Sequence, residues 1–106
     1  MNDYLLLYSG GKMPEGPEEQ AQVMKAWTDW MGQLGDALKD GGNPFTPAVK
    51  SVSSDGSVSD GPAGSTASGY SILKAGSLDE ATDMAKGCPV LHGGATITIF
   101  ETFSVM

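Results

Sequence analysis

The sequence contains no arginine, one cysteine and one histidine. Its six basic residues are all lysines and stand against 13 acidic residues, which gives a formal net charge of −7. Nucleic acids and anionic membrane surfaces are bound through basic patches, and arginine is the side chain best suited to clamping a phosphate or a carboxylate. We therefore expect a protein that binds neither nucleic acid nor membrane, and whose ligand is uncharged or cationic.

The chain also lacks a second thiol and a long apolar run. The single Cys88 excludes an intramolecular disulfide and is typical of a reducing compartment. The first apolar stretch, Tyr4 to Tyr8, is too short for a secretory signal or a membrane span. The sequence predicts a cytoplasmic protein, and its 106 residues with 40% hydrophobic content predict one domain over residues 1–106.

Hydrophobic periodicity and turn signals predict the order β, α, β with a weak hairpin, β, α, β. This order is that of a split βαβ pair, which gives an α+β, ferredoxin-like sheet with both helices on one face. The predicted elements are strands at Tyr4–Tyr8, Ala48–Val52, Gly69–Ala75 and Ala95–Phe103, an Asp55-Gly56 hairpin turn before Val58, and helices at Pro17–Asp40 and between Ser77 and Gly87.

Each predicted helix has a start signal and an apolar stripe. Pro17 opens the first helix, and Gly41-Gly42 is expected to end it after Asp40. Ser77 with Glu80 forms a capping box for the second. The apolar stripes predicted are Val23, Trp27, Trp30, Leu34 and Leu38, with Met24, Met31 and Ala37 beside them, in the first helix, and Leu78, Ala81, Met84 and Ala85, which face the core, in the second.

The first strand is apolar on both faces, although the two predicted helices can cover only one face of the sheet. Leu5 and Leu7, or Leu6, would join the aromatic residues of the last strand in an exposed patch that is too large for a soluble monomer. The sequence therefore predicts a homodimer.

The second half of the chain contains five short motifs, which are Asp60-Gly61-Pro62-Ala63, Gly69-Tyr70, Ser77-Leu78-Asp79-Glu80-Ala81, Gly87-Cys88-Pro89 and Gly93-Gly94. These motifs resemble the YCII-related family, in the branch with an Asp-Gly-Pro-Phe signature. The resemblance implies a dimeric α+β barrel, and relatives encoded beside alternative sigma factors suggest an accessory or regulatory role.

Two departures from the family separate this chain from its relatives. Ala63 stands where the signature has Phe, and small uncharged residues stand where relatives often carry Glu and Lys. The wider superfamily has been thought to use a His-Asp pair with the histidine in the first helix. That helix here contains Trp27 and Trp30 but no histidine, so this pair cannot be transferred.

The candidate catalytic residues are Asp60, in the signature, and His92, whose ordinary pKa lies near neutrality. Each has a simpler interpretation, because Asp before Gly-Pro often bonds its own backbone and a loop histidine is usually solvated. The final strand places Glu101 in phase with Ile97 and Ile99, where it either reaches the rim or is desolvated and needs a partner.

The candidate binding residues are Trp27, Trp30, Tyr70 and Glu101, although the two tryptophans also fit a core role. No metal site and no cofactor is predicted, because no metal-ligand spacing or phosphate-binding glycine pattern is present. We expect a homodimer with a pocket for a small molecule between the first helix and the sheet. An enzyme with acid-base chemistry and a purely structural module are the alternatives that the sequence leaves open.

Overall fold

The computed structural model describes residues 1–11, 15–62 and 67–104. The signature residue Ala63 lies outside these ranges. The strands are β1 (Asn2–Ser9), β2 (Leu38–Asp40), β3 (Lys50–Val52), β4 (Val58–Asp60), β5 (Ala67–Ala75) and β6 (Thr96–Glu101), the helices are α1 (Gly16–Leu34) and α2 (Leu78–Ala85), and short 3₁₀ turns cover Gly35–Ala37 and Pro89–Gly93.

Four strands form an antiparallel sheet in the order β2-β5-β1-β6. Both helices pack on one side of it, which we call the inner face. The order and the one-sided helices confirm the α+β, ferredoxin-like split βαβ prediction. Strands β3 and β4 form a separate two-stranded hairpin outside this sheet.

The end of α1 and the second strand of the sheet differ from the prediction. The helix stops at Leu34 rather than Asp40, because Gly35 adopts a positive φ of 53° that breaks the helical path. Leu38 keeps its predicted place toward the core, but as part of β2, where it pairs with Leu73 of β5. The sheet strand predicted at Ala48–Val52 was wrong: only Lys50–Val52 is a strand, and it belongs to the hairpin.

The core lies between the inner face and the helices. Tyr4, Leu6 and Tyr8 alternate along β1 and point to this face. The other buried hydrophobic members of the core cluster are Trp30, Leu73, Ala75, Ala81, Ala85 and Cys88.

The second helix has the predicted cap. The hydroxyl of Ser77 accepts a bond from the Glu80 amide, and the Glu80 carboxylate accepts one from the Gly76 amide. Ala81 and Ala85 are buried and let the helix approach the sheet closely. Leu78 was wrongly assigned to the core, since it is 46% exposed in the first turn, and Met24 of the first-helix stripe is likewise 66% exposed.

Neither of the described helices lies on the opposite side of the sheet, which we call the outer face. Leu5 and Leu7 of β1 lie there, and their register partners on the neighbouring strands share the face. The apolar residues of the outer face are Leu5, Leu7, Tyr70, Ile72 and Phe100, and an Asp3–Lys39 ion pair lies at one end. Among the described helices, none has the length and apolar character needed to cross a bilayer.

Candidate functional site

A chain of buried hydrogen bonds crosses one end of the core. The Tyr8 hydroxyl donates to Ser71 Oγ at 2.6 Å, and Ser71 Oγ donates to the Gly41 carbonyl at 2.8 Å. The Cys88 thiol lies 3.7 Å from the Tyr8 oxygen and donates to it. The side chains of Tyr8, Ser71 and Cys88 are all buried, so every donor in the chain is satisfied without solvent.

The local sequence explains why these groups meet. In β5 the inner face carries Ser71 in phase with Leu73 and Ala75, so the serine hydroxyl is forced into the core. Gly42 lets the backbone just after β2 pass close to β5, because a Cβ atom at Gly42 would lie 1.7 Å from the Tyr70 carbonyl oxygen. The close approach that this glycine permits puts the Gly41 carbonyl within reach of the Ser71 hydroxyl.

Within the buried hydrogen-bond chain, the surroundings of Tyr8 and Cys88 favour their neutral forms. Burial raises the pKa of the Tyr8 phenol far above its ordinary value of 10.0, against the opposing effect of the Ser71 hydrogen bond. Burial also raises the pKa of the Cys88 thiol. At neutral pH both groups keep their protons, so Cys88 is a hydrogen-bond donor here rather than a nucleophile.

Trp27 lies over this buried chain and is half-buried. Its ring meets the Tyr8 ring edge to face, with centroids 5.9 Å apart and planes at 65°. It meets Trp30 in the same way at 5.6 Å and 81°. Trp30 itself is buried, donates its indole N–H to the Met84 carbonyl at 3.0 Å and packs against Gly87, so Trp27 is the more accessible of the two rings.

The predicted catalytic residues lie elsewhere on the surface and do not contact each other. Asp60 ends β4 rather than lying in a loop, its side chain is 90% exposed, and its carboxylate pairs with Lys50 at 3.2 Å. His92 is exposed in the 3₁₀ turn Pro89–Gly93. Neither residue is part of the buried hydrogen-bond chain.

The other two predicted binding residues occupy opposite faces of the sheet. Tyr70 lies on the outer face, where its ring stacks on Phe45 at 5.9 Å and 26°. Glu101 lies at the inner-face rim, opposite Tyr4 in the β1–β6 register.

The environment of Glu101 decides between its two sequence interpretations in favour of the rim. The carboxylate is exposed, and it accepts bonds from the Tyr4 hydroxyl at 3.0 Å and from the Asn2 amide at 2.9 Å. Burial of the Tyr4 ring and the bond to Glu101 raise the pKa of the Tyr4 phenol.

Two of the shallow concavities lined by described residues lie away from the contact between α1 and the sheet. One of about 550 Å³ lies at the base of the hairpin, beside Pro47–Lys50 and Asp60–Gly61. The other, of about 330 Å³, is the α2–β6 groove, lined by Thr82, Ala85, Lys86, Leu91, Ala95, Thr96, Ile97 and Ile99. The position predicted for a pocket is occupied by Trp27 and Trp30 where they pack against the core.

Sequence reasoning missed Tyr8, Ser71 and the Gly41 carbonyl as members of one cluster. A signal for Ser71 was present, since a polar residue in the buried phase of a strand needs a hydrogen-bond partner. The partner could not be identified, because Tyr8 is 63 residues away and Gly41 is 30. Within the ranges that the structure describes, no group of three acidic, histidine or cysteine side chains is placed to hold a metal ion.

Neither a protein-family model nor a curated protein matches this sequence. A solved structure that it resembles is 5-chloro-2-hydroxyhydroquinone dehydrochlorinase from Burkholderia phenoliruptrix AC1100, in complex with 2,5-dihydroxybenzoquinone. The TM-score is 0.56 at 15% sequence identity, and the alignment covers 94% of this chain and 93% of the other. At that identity the likeness shows a shared fold and nothing more specific.

Proposed function

We propose that this chain is a cytoplasmic, homodimeric member of the YCII-related family that binds a small molecule beside Trp27. The observation that carries the proposal is the half-buried indole of Trp27, which Tyr8 and Trp30 hold edge to face over the buried hydrogen-bond chain. Ligand sites are lined mainly by aromatic and apolar side chains. The role is accessory or regulatory, as the family resemblance implies.

The ligand class follows from the chemistry of the cluster. Tyr8 and Cys88 are neutral, and the remaining members are a serine hydroxyl, an indole and a backbone carbonyl. Such a site has no charge to pair with an anion, whereas an indole face stacks on a planar ring or attracts a cation. A small planar molecule, uncharged or cationic, therefore fits; the ring bound by the structural neighbour shares the planar shape but is an acid.

The homodimer is supported by the surface and shape of the chain. Its accessible surface is 7436 Å², whereas a compact monomer of 11.0 kDa exposes about 5,600 Å². Its radius of gyration is 15.3 Å, whereas about 13 Å is usual for this length. A second copy over the outer face would cover Leu5, Leu7 and Phe100 and remove much of this excess.

The dimer is tested by sedimentation at micromolar concentration, where we expect a species of twice the chain mass. A compact monomer under these conditions would contradict the homodimer.

The binding site is tested by a thermal-shift screen of uncharged planar hydroxylated rings, with hydroquinone as the first probe and the anionic 2,5-dihydroxybenzoquinone as the comparison. A ligand that binds only the folded state raises the melting temperature by mass action. We expect Trp27→Ala to abolish the shift. Met24→Ala is the matched control, because Met24 lies on the same helix and is 66% exposed. A shift that survives in Trp27→Ala would place the ligand elsewhere.

Acid-base catalysis by Asp60 or His92 stays a prediction. Activity lost on Asp60→Asn or His92→Ala, with the fold intact, would support an enzyme in which these surface groups act outside the Trp27 cluster.

A further inference from the structure

The β3–β4 hairpin is an exposed arm with an apolar surface. Its two strands pair only with each other, in a register that sets Val52 directly opposite Val58. These side chains are 70% and 61% exposed, and the adjoining Val49 is 46% exposed. A two-stranded hairpin alone is marginally stable in water, so uncovered valines here indicate a surface that something else covers.

The arm is nevertheless well specified by its own hydrogen bonds. At the tip, the Asp55 carboxylate accepts bonds from the Ser57 amide at 3.0 Å and the Ser57 hydroxyl at 2.7 Å, and Gly56 takes the positive φ that the turn needs. At the base, the Ser51 hydroxyl donates to the Gly61 carbonyl at 2.7 Å. Its docking surface therefore exists before any partner arrives.

The arm departs from the outer face of the sheet. Phe45, five residues before β3, stacks on Tyr70 of the outer face, and its amide donates to the Ser68 carbonyl at 2.8 Å. Phe45 therefore anchors the segment that leads into the hairpin beside the apolar residues of the outer face. A second copy that covers the outer face comes within reach of the arm.

The open edge of β6 and the adjoining α2–β6 groove form a second uncovered surface. Among the strands that the structure describes, β6 pairs with β1 alone. Its sequence Thr-Ile-Thr-Ile-Phe-Glu has neither the lysine nor the proline that commonly protects an edge strand. The groove beside it is largely apolar and includes Leu91, which is 40% exposed.

Symmetry brings the two uncovered surfaces together. In the order β2-β5-β1-β6, the hairpin connects β2 to β5 and so leaves from the side of the sheet opposite β6. If two copies pack outer face to outer face about a two-fold axis that runs along the strands, the β2 side of each lies against the β6 side of the other. Each arm then meets the other copy's β6 edge, and the contact closes on itself.

We propose that the β3–β4 hairpin is a dimer arm: Val52 and Val58 pack over the open β6 edge and the α2–β6 groove of a second copy. The inference rests on the homodimer of the proposed function and adds a contact outside the sheet faces. It explains why the chain folds a hairpin whose valines are exposed and lie outside the core cluster of the described residues.

The affinity test uses Val52→Ser/Val58→Ser, with Met24→Ser as the control for loss of an exposed apolar side chain. Burial of these valines in both arms predicts a dissociation constant that rises at least about tenfold in the hairpin variant. The control should match the parent protein. Equal dissociation constants for the parent and the hairpin variant would overturn the arm.

The location test mixes two variants, Val58→Cys and Leu91→Cys, under mild oxidation. The native Cys88 is 1% exposed and stays out of the reaction. We expect a disulfide-linked dimer from the mixture in much higher yield than from a mixture of Met24→Cys and Leu91→Cys. Equal yields would overturn the groove as the docking site.

The arm and the homodimer fail in distinguishable ways. If Leu7→Ser weakens the dimer and the hairpin variant does not, the arm is wrong and the outer-face dimer stands. If the parent protein sediments as a monomer, both are wrong.

Discussion

The two faces of the sheet are built from alternate residues of the same strands but are completed in different ways. Leu6 on the inner face is fully buried by the chain's own helices, whereas its neighbour Leu7 on the outer face is only half-buried. Because successive side chains of a strand point to opposite faces, one set of residues packs the core of a single chain and the other set is available for association. Substitutions of inner-face residues should act on the stability of one chain, and substitutions of outer-face residues on its association.

The helices that complete the inner face also differ from each other. In α2, eight residues long, Ala81 and Ala85 are buried and allow close contact with the sheet. In α1, 19 residues long, Trp30 alone is buried among the described side chains. The longer helix is therefore held mainly through large aromatic contacts, which concentrates its stabilisation in few residues.

The largest effect should come from Trp30→Ala. The substitution removes a buried indole together with its hydrogen bond to the Met84 carbonyl, and a change of this kind costs about 3 to 5 kcal/mol. The free energy of unfolding from urea titration measures it, with Met24→Ala as the exposed control on the same helix. A midpoint that hardly moves would mean that α1 does not depend on its aromatic contact with the core.

The comparison of faces is tested most directly by Leu6→Ala and Leu7→Ala. We expect Leu6→Ala to cost about 2 to 5 kcal/mol of unfolding free energy, because it opens a cavity in a packed core. Leu7→Ala should change the unfolding of the monomer by less than about 1 kcal/mol and instead raise the dimer dissociation constant. Sedimentation and urea titration of both variants separate the two effects. Equal losses of monomer stability would remove the distinction between the faces.

A smaller effect is expected from Tyr8→Phe, which removes the central hydroxyl of the buried chain. Loss of this group leaves Ser71 without its donor and should cost about 1 to 2 kcal/mol near pH 7. Tyr70→Phe on the outer face is the control.

The same variant tests the raised pKa of Tyr8. Above pH 10 the unfolded chain loses the tyrosine proton while the folded chain keeps it, so the unfolded state binds fewer protons and stability falls as pH rises. Tyr8→Phe should make this fall between pH 10 and 11 less steep. An unchanged slope would mean that the phenol is not shielded from solvent.

The sequence predicted most of this fold because its signals were local. The capping pair of Ser77 and Glu80 and the Asp55-Gly56 turn were predicted correctly. The alternation of the last strand was correct for Ile97, Ile99 and Glu101, but the strand covers Thr96–Glu101 rather than Ala95–Phe103. The errors arose where tertiary contacts override local pattern. The apolar pattern that predicted α1 extends as far as Leu38. In the structure Leu38 lies in β2 instead, where it pairs with Leu73 of β5, 35 residues further along the chain.

The candidate site was less predictable than the fold. Asp60 and His92 were selected for their side-chain chemistry, and the structure places both on the exposed surface. The cluster under Trp27 consists of common residues whose importance lies in a hydrogen-bond path across three segments. A single sequence carries no record of such a path.

The smallest effect sharpens the comparison at the edge of the inner face, where Glu101 lies. Its carboxylate accepts hydrogen bonds from Tyr4 and Asn2 and so ties the end of β6 to the start of β1. A glutamine keeps one acceptor oxygen in place but loses the charge, so Glu101→Gln should cost no more than about 1 kcal/mol. Asp29→Asn and Asp83→Asn are the controls, because each removes an acid that pairs only with an exposed lysine on its own helix turn. We expect Glu101→Gln to change dimer stability or ligand binding more than either control, since β6 carries the open edge beside the outer face. Suppose that the three variants have the same unfolding free energy in urea titration, the same dimer dissociation constant in sedimentation and the same ligand-induced thermal shift. Glu101 is then a solvated rim residue, and the alignment of β6 depends on its backbone pairing with β1 alone.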